Sequence, residues 1–211
     1  MQETEHGSEL VATGGEKKGG AAAEVFDWFD TVLYSVLAIV VIFIFLTRMS
    51  SVDGSSMLPT LEDGQRLMVS DFLYTPDYND IVVLWAPGIP NDDDSYGKAI
   101  VKRVIGLPGD SISIDFARGV ITRNGELLSI EVKDGVLWED GHMINSYTND
   151  SEFSDGEFTV PENCIFVMGD NRNASTDSRS FMVGYADIRQ IIGKAYLRVF
   201  PFDKFGGLYG S

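Results

Sequence analysis

A chain of 211 residues, 44% of them hydrophobic, can build one domain of ordinary size plus a short appendage, with no room for a second large core. Its formal charge of −16, with 16 Lys and Arg scattered along it, argues against a nucleic-acid backbone as partner. One cysteine, Cys164, and two histidines, His6 and His142, allow neither a disulfide framework nor a His/Cys zinc site within one chain, so chemistry must rest on oxygen and amine groups.

Residues 1–23 are rich in Gly, Glu, Ala and Lys without apolar periodicity, and read as a disordered tail that we extend to residue 27. Residues 31–47 then carry no charge, and together with Trp28, Phe29 and Arg48 they define an anchor over 28–48 close to the ~20 residues needed to cross a bilayer. A removable signal peptide would start basic and have a shorter apolar centre, whereas Glu24, Asp27 and Asp30 lead in here. A buried helix of a soluble domain is opposed by hydrophobicity on all faces. Lys17 and Lys18 on one side against Arg48 on the other give the amino terminus only a slight bias toward the inside.

Beyond Arg48 the pattern turns to period two. Runs at 66–70, 80–85 and 99–105 are dense in β-branched residues and separated by Pro, Gly, Asn and Asp, which predicts strands. Residues 111–115 and 119–128 add a hairpin and an Asn124-Gly125 turn, and 164–168 and 191–199 resume strand character. Residues 129–159 are acidic and irregular and read as an inserted lobe. With few helical signals outside the anchor, the expected fold is a mostly β, antiparallel domain over 49–211.

Three stretches could carry chemistry. In residues 53–61 (DGSSMLPTL) small residues, two serines and Pro59 predict a serine hydroxyl on a constrained turn, with Gly54 letting another backbone approach. An ordinary surface loop has the same composition. Lys102 shares a strand face with Ile100 and Val104, an ammonium among aliphatics. Such a lysine either snorkels to water or, desolvated, loses its proton and becomes a base for a serine. An ordinary lysine is neutral at pH 7 only about once in ~2500, a handicap of roughly 4.6 kcal/mol that an apolar site must largely remove. The third stretch, 168–179, reads as a polar turn in which Ser175 could orient an amine and Asp170, Asp177, Arg172 and Arg179 could buttress it.

Residues 54–61 (GSSMLPTL), 102–110 (KRVIGLPGD) and 169–179 (GDNRNASTDSR), in this order behind an amino-terminal span, resemble bacterial type I signal peptidases of Gram-positive kind. DIVVL at 80–84 and RVFPF at 198–202 add to the match, which covers most of 28–204. The resemblance implies two antiparallel sheets in an extracytoplasmic domain with the Ser/Lys protease fold, on a membrane helix with a cytoplasmic amino terminus in the plasma membrane. It implies Ser56 as nucleophile, Lys102 as general base, Ser175 positioning the lysine amine, and Asp177 pairing with Arg103 and Arg179. Substrates would be secretory precursors, cut after a small residue with another two positions earlier. The precursor would lie as an added strand beside Val52, Asp53 and Gly54 and beside Ala99, Ile100 and Val101, with Val52, Met57, Leu61 and Val101 lining shallow pockets. No cofactor, metal or nucleic acid is implied.

The sequence departs from the family at Gly54, where some members have a serine that helps hold the oxyanion. That leaves the backbone N–H of Ser56 as the main donor. Asn173-Ala174 and Tyr78-Asn79 also differ from the usual residues. A catalytically silent homologue acting as a scaffold, or one processing a dedicated substrate, is the alternative, and a tethered self-cleaving repressor would want a partner domain that the acidic tail does not supply.

Overall fold

The apolar run forms one continuous helix. In the computed structural model, which describes residues 21–91, 95–128, 130–131, 137–138 and 156–209, α1 spans Ala21–Leu46. Within it Val25–Ile44 has a mean hydropathy of 1.9 and none of it is buried, so it is long and apolar enough to cross a membrane. The hydroxyls of Thr31 and Ser35 donate to the carbonyls of Asp27 and Thr31, so neither is left without a partner in an apolar helix. The helix begins at Ala21, so residues 21–27 belong to it and not to the tail, while Arg48 already opens the first strand.

The chain divides into two units, 1–43 and 44–211. The strands of the second are β1 (Arg48–Ser51), β2 (Arg66–Ser70), β3 (Ile81–Pro90), β4 (Tyr96–Gly106), β5 (Ser111–Asp115), β6 (Val120–Arg123) and β7 (Glu126–Leu127). They continue with β8 (Ile130–Glu131), β9 (Leu137–Trp138), β10 (Gly156–Thr159), β11 (Cys164–Met168), β12 (Ala186–Asp187), β13 (Ile191–Phe200) and β14 (Gly206–Gly207). An eight-stranded antiparallel sheet runs β1-β2-β13-β3-β4-β11-β12, with β14 beside β13, and a four-stranded sheet runs β10-β5-β6-β7. The inserted lobe expected over 129–159 has a different extent. Gly156–Thr159 is a strand of the smaller sheet, paired with β5, and most of the remaining residues lie outside those described.

Residues 81–84 of β3 are buried without a break, as a central strand covered on both faces requires. One face carries Val83 and Val101 into a cluster with Val52, Met57, Leu61, Leu67 and Val69. The other carries Val82, Leu84 and Val104 into a cluster with Ile165 and Val167. A third core, Ile105, Ile112, Ile114, Ile121, Phe166 and Met168, joins the smaller sheet to the end of the larger. In the register Lys102 faces Val82 and Ile100 faces Leu84, so Ile100, Lys102 and Val104 share a face, as the alternation predicts. The Asn124-Gly125 turn takes positive φ at both residues, +54° and +81°.

Candidate active site

Ser56 sits on the turn between β1 and β2. That turn is tied at its base, where Val52 N–H donates to Gln65 O (2.8 Å) and Gly64 N–H to Val52 O (3.0 Å). Gly54 adopts φ +85° and its N–H donates to Asp63 Oδ1 at 2.7 Å. The left-handed backbone is what requires glycine, since among the described residues a Cβ there would meet nothing within 4 Å, so no other backbone of those residues presses on that side. Met57 and Leu61 anchor the turn in the core beneath.

The loop after β11 grips this turn from the other side. Asn171 donates its N–H to Ser56 O (3.0 Å) and its Nδ2 to Ser55 O (3.1 Å). Thr60 Oγ1 donates to Asp170 Oδ2 at 2.5 Å, and Arg198 Nη2 to Thr60 O at 2.9 Å. The sequence reading assigned Asn171 and Thr60 no task. Their only signal was that both lie inside the quoted motifs.

Lys102 Nζ donates to Ser56 Oγ at 2.7 Å across 46 residues of chain. The lysine is 3% exposed. Burial pushes its pKa down to about 8, the nearby carboxylates of Asp177 and Asp170 pulling the other way and Arg179 helping. At pH 7 about one such amine in ten is neutral, against one in a few thousand for an ordinary lysine.

Behind the pair lie two buried ion pairs. Arg179 Nε and Nη2 clasp Asp177 at 2.8 Å each, and Gly169 N–H donates to Asp177 Oδ2 at 2.9 Å. Burial alone would raise the Asp177 pKa, but Arg179 and these donors hold it down at about 2. Arg103 does not share Asp177, contrary to the expectation. Its Nε and Nη2 clasp Asp170 at 2.7 and 2.6 Å and its Nη1 donates to Asn79 O, because the start of the motif loop, not its end, lies over the end of β4. Arg172 turns to Met168 Sδ, and its carbonyl accepts from Arg179.

Ser175 is buried, and among the described residues its Oγ makes no hydrogen bond to Lys102; the group it stands close to is Asp177, whose carboxyl it helps keep ionised. It packs on Gly169, where an added Cβ would stand 2.3 Å from Ser175 Oγ and 2.4 Å from Ser56 O. Only glycine lets the loop and the turn approach so closely.

A groove of about 250 Å³ runs from Ser56 and Lys102 between residues 51–57 and 98–101, with Ala174 and Thr176 at its side. Val52, Asp53, Gly54, Met57, Ala99, Ile100 and Val101 line it. Leu61 does not. It is wholly buried in the core under the turn. Among the described residues no strand pairs with the outer edge of Ala99, Ile100 and Val101, since β11 takes up β4 only from Arg103 onward. Lys98, which the sequence reading passed over, reaches across to form an ion pair with Asp53.

Residues 25–200 match the family described as signal peptidase, peptidase S26. The chain is 38% identical over 181 residues to signal peptidase I of Bacillus caldolyticus, covering 84% of this chain and 91% of that one. It is 34% identical over 194 residues to signal peptidase I P of Bacillus subtilis subsp. natto, covering 90% and 96%. A crystal structure of a signal peptidase I from Enterococcus faecalis V583 aligns with a TM-score of 0.38 at 25% identity, over 57% of this chain and 97% of that one. With an apolar amino-terminal helix, two antiparallel sheets and a family match over most of its length, the chain belongs to the signal peptidase family, peptidase S26.

Proposed function

We propose that the chain removes signal peptides from secretory precursors, with Ser56 as nucleophile and Lys102 as general base. The single observation that carries this reading is the 2.7 Å contact between Ser56 Oγ and the nitrogen of a buried lysine whose pKa burial has lowered to about 8. Neutral Lys102 takes the Ser56 proton as Oγ attacks the scissile carbonyl, then gives it to the leaving amine. The ester that remains is cleared when Lys102 deprotonates a water that attacks the same carbonyl. The Ser56 N–H serves as oxyanion donor, a contribution of roughly 2.7–4 kcal/mol where enzymes rely on one. Ser175 is the residue proposed to steady the amine between these steps, and the two arginine–aspartate pairs hold its loop.

The precursor binds as an extra strand between the Val52 side of the groove and β4, where the open edge supplies backbone partners. Val52, Met57 and Val101, nearly buried, leave shallow recesses that admit alanine-sized side chains after which the chain is cut. The apolar helix acts as a single-pass plasma-membrane anchor with its amino terminus in the cytoplasm, so that precursors emerging from the bilayer are met at its surface.

Digestion of a model precursor by the purified enzyme beside Ser56→Ala and Lys102→Met is the test. Both variants should lose processing. The wild-type rate should climb as pH passes through about 8, where the amine loses its proton. Processing by Lys102→Met near the normal rate would overturn the assigned base, and processing by Ser56→Ala would overturn the nucleophile. A wild type that cuts no precursor would leave the scaffold alternative.

A further inference from the structure

Two ammonium groups cross the groove, and only one of them has a task in the proposed chemistry. Lys102 reaches Ser56 at one end; Lys98, on the same strand, reaches Asp53 at the other. Between the crossings the walls are uncharged, made by Gly54, Ala99, Ile100 and Val101. Four residues of strand separate the two lysines, a distance of about 13 Å at ~3.3 Å per residue. An extended peptide whose scissile carbonyl sits at Ser56 and whose preceding residues run toward Lys98 therefore passes the Lys98–Asp53 pair with the fourth or fifth residue before the cut. The side chains of Lys98 and Asp53 are 39% and 68% exposed, so the pair is weakly held and can exchange partners with a passing charge.

We propose that Lys98 and Asp53 form an ion-pair strap across the outer end of the groove that sets charge preference at the fourth or fifth residue before the scissile bond. This rests on the dyad and the added strand proposed above, with the strand running so that the residues before the cut lead toward Lys98. While both partners are present, a substrate carboxylate gains Lys98 and meets Asp53, and a substrate cation does the reverse. Removing one partner shifts the local charge by one unit toward the other. Asp53→Asn takes away the carboxylate that a substrate acid would meet and so favours an acidic substrate residue, and Lys98→Met takes away the ammonium and so favours a basic one.

The test uses full-length enzyme in detergent micelles and two sets of three precursor peptides that differ only in carrying Ala, Asp or Lys, one set at the fourth and one at the fifth residue before the cut. A matching set carries the charge at the second residue before the cut. The readout is the ratio of kcat/KM between the Asp and Lys peptides within each enzyme, which cancels any loss common to all peptides. We expect a ratio near one for the wild type, a shift of roughly two- to fivefold toward Asp in Asp53→Asn and toward Lys in Lys98→Met, both shrinking in high salt. The second-position set should shift less. Unchanged ratios in both variants would overturn the strap, as would equal shifts at the second position. Should either single variant cut nothing, the charge-swapped double variant, Asp53→Lys with Lys98→Asp, decides: recovered cleavage supports pairing across the groove and continued loss overturns it. Cleavage of the Ala peptide by wild type but not by Ser56→Ala reports separately on the dyad, so the two proposals can fail independently.

Discussion

A lysine can act as a base, the part proposed for Lys102, only after its proton has gone, and here the agent is burial opposite Val82 and beside Val104. The same burial makes the residue a burden on the fold. The unfolded chain binds this proton up to the ordinary value of 10.5 and the folded one only up to about 8. Between those values the unfolded state holds more protons, so stability rises with pH across that window, and below it the penalty is fully present. Lys102→Met should therefore raise the unfolding free energy at pH 7 by about 3 kcal/mol while abolishing processing. Its advantage should fade as denaturation is repeated from pH 8 to 10.5. Asp177 has the opposite sign. Its carboxyl, held at about 2, contributes stability above 3.8 that is lost as pH falls toward 2, so urea midpoints should drop over that range in wild type and less in Asp177→Asn. Gly169→Ala should cost about 1–3 kcal/mol and depress kcat, because its Cβ would push on the backbone of Ser56 as well as on Ser175.

At the scale of elements, much was legible because local chemistry and tertiary structure agree. The strands at 66–70, 111–115 and 164–168 fall where β-branched runs end at Gly, Pro or Asp. β3 and β4 run further than their apolar cores suggest. Gly88 lies against the carbonyl of Met182 and Gly97 against the ring of Trp85, so the residues that read as loop are required by close packing. The dyad was legible only through its motifs, since nothing local brings Ser56 to Lys102 over 46 residues. The ion pairing was not legible, because Arg103 could face either aspartate and sequence distance does not choose. The loop–turn clamp gives a test of that layer. Arg103→Met alone should destabilise by about 3–5 kcal/mol, leaving Asp170 buried without its partner, and adding Asp170→Leu should recover most of it in thermal or chemical denaturation.

For the whole molecule, the anchor reading and the groove reading make separable demands. Deleting residues 1–46 should slow cleavage of precursors embedded in vesicles far more than cleavage of a short soluble peptide, measured side by side. The open margin of β4 bears on handling as well as on catalysis. A strand that β11 covers only from Arg103 onward, and that no other described strand covers over Ala99, Ile100 and Val101, is a template for any extended chain, a second copy included. Concentrated protein stripped of its helix should for that reason self-associate through this margin, and a competing peptide laid into it should disperse the aggregates.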